Sequence, residues 1–150
     1  MPKFSRSIVG YGLIMISAQA LAESLTLSDA WVRALPPVQK VTAGYVTVSN
    51  TSDSPIVLTG GTSPVASVVE IHTTKEVDGY MRMQPVPELL VPAGGEVSLA
   101  PGGDHLMLMG LERMPVDGEE VQICLTTKGG DSACTAAQVR RDDKGGHHHH

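Results

Sequence analysis

Residues Pro101-Gly102-Gly103-Asp104-His105-Leu106-Met107-Leu108-Met109-Gly110-Leu111 change chemical character at every step through their centre. A strand sends successive side chains to opposite faces, so this alternation fits a strand and not a helix. Leu106 and Leu108 then share one face, and His105, Met107 and Met109 share the other. The leucines are natural core residues. The opposite face carries one imidazole and two thioethers, bounded upstream by a Pro-Gly-Gly-Asp turn signal.

The same pattern recurs outward from this stretch. Short runs rich in Val, Leu and Thr alternate with Gly, Pro, Asn and Asp signals, and helical periodicity is weak throughout. The expected strands are 30–34, 43–50, 55–59, 66–74, 80–84, 88–91, 96–99, 105–111, 121–127 and 133–139, with two or three of them expected to merge or drop out. Turns are expected at Asn50-Thr51-Ser52-Asp53, Gly60-Gly61, Asp78-Gly79, Pro92-Ala93-Gly94-Gly95 and Pro101-Gly102-Gly103-Asp104. Many short strands with strong turn chemistry predict an all-β fold, an antiparallel β-sandwich.

Composition bounds the rest. The chain has 150 residues, 41% apolar and 18% charged, which is globular rather than disordered. Its net charge of −5 and the lack of a basic stripe argue against a nucleic-acid partner. Seven methionines stand against one Phe, three Tyr and one Trp, an unusual preference for thioether over ring. Met1 and Met15 belong to a segment that reads as a secretory leader: Lys3 and Arg6, an apolar run from Ile8 to Ile16, then Ala20-Leu21-Ala22 as a small-x-small cleavage site. That run is too short to span a membrane. The expected organisation is a leader over 1–22, a β-sandwich domain over 23–140 and a flexible His-rich tail over 141–150. The terminal histidines, His147–His150, read either as a purification tag or as a native site for Cu(II).

The two cysteines, Cys124 and Cys134, flank Lys128-Gly129-Gly130-Asp131. Folding about that turn sets them opposite one another, and an exported even pair is usually a disulfide. A pair of thiolate metal ligands is the alternative, and there is no CxxC redox motif.

Outside the tail, every histidine shares a strand face with methionine or a polar residue. His72 alternates with Val69 and Ile71 and shares its face with Glu70, while Met81 and Met83 share a face opposite Tyr80 and Arg82. For any single methionine, core packing is the commoner role. Jointly, four methionines on two short strands, each near a histidine, point to a metal. Thioether sulfur is soft and neutral, and imidazole is borderline, so a His/Met set without thiolate suits Cu(I). Zinc prefers Cys, His or carboxylate, calcium and magnesium need oxygen donors, and a blue-copper site needs a Cys thiolate.

His72, Met83, His105 and Met107 are spaced as H-x10-M-x21-H-x-M. With Trp31-Val32-Arg33-Ala34, Ala43-Gly44-Tyr45, Val69-Glu70-Ile71-His72, Met81-Arg82-Met83 and the stretch from Pro101 to Leu111, this resembles the periplasmic copper chaperones of the PCu(A)C family, over about residues 28–127. The resemblance implies a cupredoxin-like β-sandwich holding Cu(I) at an exposed site, with His72, Met83, His105 and Met107 as ligands. It also implies delivery to the Cu(A) centre of cytochrome c oxidase subunit II alongside Sco-type proteins, in the periplasm after cleavage following Ala22. Where some family members have Met directly after the first histidine, this chain has Thr73. Met81 and Met109 share faces with the ligands; packing beneath the site is the favoured role for both, a donor role the other.

The leading function is therefore a non-enzymatic Cu(I) carrier. A copper-sequestering protein without a dedicated acceptor needs the same ligands. An oxidase or thiol oxidoreductase has no support from a CxxC, a further histidine or a nucleophile-base pair.

Overall fold

The computed structural model describes residues 24–141. Its ten strands are β1 (Leu25–Arg33), β2 (Val41–Asn50), β3 (Ile56–Ser63), β4 (Ala66–Val77), β5 (Tyr80–Pro85), β6 (Leu89–Val91), β7 (Glu96–Leu99), β8 (His105–Met109), β9 (Glu120–Thr127) and β10 (Ser132–Arg140). All ten expected strands are present and none has merged. Seven of them hydrogen-bond in the order β4-β8-β2-β1-β10-β9-β3, and β3 pairs back onto β4, so the sheet rolls into a barrel-like ring. The fold is the cupredoxin-like, all-β one. β5, β6 and β7 are additions outside the ring, paired to β4, β3 and β2. Every pairing is antiparallel except β1 with β10.

Alternation decides what lies inside. Leu106 and Leu108 are fully buried, packed in one cluster with Val69 and Ile71 of β4, Val46 and Val48 of β2, and Ile123 and Leu125 of β9. Each such side chain contributes about 1.5–3 kcal/mol on burial. Among the described residues this buried cluster contains no aromatic ring. Trp31 instead stacks on Tyr45 at 4.5 Å, with Arg140 over the Trp31 ring and Arg33 over the Tyr45 ring, apart from that cluster. A ring filled by branched aliphatics has little use for Phe, which accounts for the aromatic shortage. Met114 is in the core, as ordinary packing.

Several boundaries move for physical reasons. Gly60-Gly61 is not a turn: β3 continues through it to Ser63, with a register shift between Leu58 and Gly60. Glycine is needed there because β9 approaches closely, and a Cβ on Gly61 would collide with the Cys124 carbonyl oxygen. β1 begins at Leu25 rather than residue 30, crossing Ser28-Asp29 by a bulge in which Asp29 takes a positive φ. β8 stops at Met109, since Gly110 turns into the left-handed region. β7 and β8 both run antiparallel to β2, along Val46–Ser49 and Val41–Gly44 respectively. The Pro101–Asp104 segment is thus an excursion from one interrupted strand and does not reverse the chain.

Cys124 and Cys134 are register partners on β9 and β10 and form the disulfide, with Cα atoms 4.0 Å apart. That settles the choice against a thiolate metal pair. The expected leader, the cleavage site and the histidines at 147–150 lie outside the described residues. No helix of the described residues is long and apolar enough to cross a membrane.

Asn50 ties the end of β2 to its surroundings. It is 1% exposed. Its amide donates to the carbonyls of Ser54 (2.8 Å) and Val91 (3.1 Å), and its Oδ1 accepts from the Ser52 N–H and hydroxyl. Asn50→Ala leaves the Val91 carbonyl buried without this partner, and urea denaturation should show a loss of about 2 kcal/mol with an unchanged m-value. The double variant Cys124→Ser/Cys134→Ser should lose about 2–3 kcal/mol. Neither β9 nor β10 pairs with β4 or β8, so the imidazole resonances of His72 and His105 should keep their positions in that variant.

Candidate metal centre

The site is built on the outward face of β5-β4-β8. Asp78 and Gly79 both have positive φ and join Val77 to Tyr80, a two-residue hairpin turn of the type favoured by Asp-Gly. That turn sets the β4–β5 register: Thr74 faces Met83 and Glu76 faces Met81. On the other edge of β4, His72 faces His105 and Glu70 faces Met107. Partners in an antiparallel ladder share a face. All four expected ligands therefore stand on one face of the sheet, with the two histidines side by side.

The methionines are placed differently from the histidines. Met83 and Met107 are each one diagonal step from His72, about 7–8 Å between Cα atoms in regular sheet. They lie on opposite sides of the histidine pair along the strand direction, level with Thr74 and Glu70 respectively. Met83 is 59% exposed on the edge strand, and Met107 is half-buried. Met81 is 65% exposed. It does not pack beneath the site, because β5 lies outside the ring and among the described residues no strand pairs with its outer edge. Met109 is half-buried opposite Val68.

His105 is buried and His72 partly so, and each is half-paired. His105 is 4% exposed, and the His72 side chain 13%. Their ring centroids are 6.2 Å apart. Metal–imidazole bonds run about 2 Å, so rings spaced in this way can share one ion. His105 Nδ1–H donates to the Gly103 carbonyl at 2.9 Å, and His72 Nε2–H donates to Glu70 Oε2 at 2.8 Å. The remaining nitrogens, His105 Nε2 and His72 Nδ1, are buried without a hydrogen-bond partner. Unpaired buried nitrogens are costly in an ordinary core but are what a metal needs from imidazole. Among the described residues, no three His, Cys, Asp or Glu side chains gather in a geometry that could hold an ion. Met83 and Met107 stand on the same face as the two imidazoles, as does the Glu70 carboxylate.

Sequence reasoning placed Glu70 on the His72 face without giving it a task, and it overlooked the Gly103 carbonyl. The Glu-x-His alternation was the available signal for the first. The second depends on how the 101–104 excursion bends back, and a sequence does not show that.

A family model described as "Putative lipoprotein LpqE-like" matches residues 25–139. A relative from Leifsonia xyli subsp. xyli (strain CTCB07), "Putative lipoprotein Lxx21020", is 33% identical over 120 residues, spanning 79% of this chain and 71% of its own length. The chain belongs to the LpqE-like family. Among solved structures, the solution structure of CuI-DR1885 from Deinococcus radiodurans is 40% identical with a TM-score of 0.65, covering 86% of this chain and 85% of that one. The copper-bound PCuAC domain from PmoF2 has a TM-score of 0.64 at 21% identity, covering 79% and 93%, and shows a shared fold. The resemblance of this LpqE-like chain to the PCu(A)C family is borne out.

The Asp78-Gly79 turn leads into β5 and so carries Met83 but not Met107. Gly79→Val places a β-branched residue at φ +81. Amide exchange should accelerate across residues 80–85 while residues 105–109, held by β2 and β4, keep their protection.

Proposed function

We propose that this LpqE-like protein carries Cu(I) as cargo, bound by His72 and His105 with Met83 and Met107 completing the shell. The observation that carries this reading is the pair of buried imidazole nitrogens, one on each histidine, that lack a partner on a face that also carries Met83 and Met107. Two neutral nitrogens and soft sulfurs match the preference of Cu(I) and leave a hard cation poorly served. The Cu(I)-bound relative at 40% identity supports the same ion here.

Carriage rather than turnover follows from the exposure gradient. Met83 stands open on an edge strand, and His105 is enclosed. Release to an acceptor proceeds by ligand exchange, Met83 being displaced first and His105 last. The protein works after export to the periplasm. The acceptor is the Cu(A) centre of cytochrome c oxidase subunit II, with Sco-type proteins alongside, as the family resemblance implies.

Anaerobic Cu(I) titration against a competing chelator tests the site. Met83→Leu and Met107→Leu nearly keep volume and apolarity, so the fold should survive. Each should weaken Cu(I) binding at least tenfold (about 1.4 kcal/mol), and the double variant more. Adding Arg82→Met to Met83→Leu should not restore binding, since Arg82 is on the opposite face. Wild-type affinity in the double variant would remove both sulfurs from the site. Mixing the loaded protein with an apo Cu(A) domain and following the Cu(A) spectrum tests delivery; no transfer would leave sequestration as the function.

A further inference from the structure

A neutral imidazole offers one N–H and one lone pair, and which nitrogen holds which is decided by its neighbours. In this site both neighbours can only accept. The Gly103 carbonyl takes the proton of His105 Nδ1, and the Glu70 carboxylate takes that of His72 Nε2. The two histidines are therefore held in opposite tautomers. His105 is left with a lone pair on Nε2 and His72 with one on Nδ1, the two buried atoms that lack a partner. The first lock is backbone and is common to any side chain at position 103. The second depends on a single side chain.

We propose that Glu70 is the positioning residue of the site, holding the proton on His72 Nε2 so that Nδ1 is the nitrogen presented to the ion. The assignment rests on the carrier reading above and adds which nitrogen binds and what orients it. Glu70 is placed for this task by strand geometry. It is two residues before His72 on the same face of β4, and its register partner is Met107. About half of its side chain stays exposed, so the carboxylate keeps contact with water while one oxygen holds the ring. A carboxylate behind a ligating imidazole fixes ring orientation and raises donor strength, and its removal typically weakens metal binding about 10–100-fold. An ammonium at position 70 could not accept the proton in this way.

Two readouts test the assignment, one of which needs no copper. In the apo protein at about pH 8, above the ordinary imidazole range, long-range nitrogen–proton correlation should show His72 protonated on Nε2 and His105 on Nδ1. The His72 ring proton should exchange slowly with water. In Glu70→Leu that proton should exchange fast, and Cu(I) affinity should fall about 10–100-fold. Glu70→Gln keeps an accepting oxygen and should retain the slow proton and most of the affinity. A His72 proton on Nδ1 in the wild-type apo protein would overturn the proposal, as would unchanged Cu(I) affinity in Glu70→Leu. Equal losses in Glu70→Gln and Glu70→Leu would overturn it too, by assigning the effect to charge alone. Should the wild-type protein fail to bind Cu(I), the carrier reading fails by itself, and the apo tautomers still decide whether Glu70 positions His72.

Discussion

Leu106 and Leu108 are buried between β4 and β2, and everything outside depends on that burial. A strand has period two, so fixing two leucines inward fixes His105, Met107 and Met109 outward. A one-residue slip of β8 would turn both leucines out of the apolar core and put an imidazole and two thioethers in their place, a change of several kcal/mol in the wrong direction. Val69 and Ile71 fix β4 in the same way and thereby His72 and Glu70. The hydrophobic effect is not directional, yet acting through a pleated strand it sets these five side chains, with polar or soft donors, on one face.

The spacing between donors has a physical meaning in this frame. With Asp78 and Gly79 as a two-residue turn, a His at 72 and a Met at 83 must fall on the same face and one diagonal apart. The long separation from Met83 to His105 spans β6, β7 and the 101–104 excursion, which returns the chain to the far edge of β4 directly beside His72. Only then do the imidazoles become neighbours. The excursion has a second effect, since it delivers the Gly103 carbonyl that holds His105.

Much of this was legible beforehand. Alternation at 69–73, 80–83 and 105–109 assigned each candidate ligand to its face correctly, and the Lys128–Asp131 turn predicted the disulfide. Gly60-Gly61 was misread because glycine serves turns and close strand contacts alike, and only the approach of β9 distinguishes them. Met81 was expected beneath the site, but the sequence did not show that β5 is an uncovered edge. The seven-strand closure and the parallel pairing of β1 with β10 are long-range facts without a local sequence signal.

By itself the sequence determined the strands, the face of each donor and the softness of the donor set, because these follow from period two and from the chemistry of sulfur and imidazole. The tertiary structure decided which donors are neighbours, how exposed each is and which nitrogen each histidine leaves free. Those properties depend on ring closure and on two hydrogen-bond acceptors, Glu70 and the Gly103 carbonyl, whose positions are set by strand pairing and loop path rather than by local pattern.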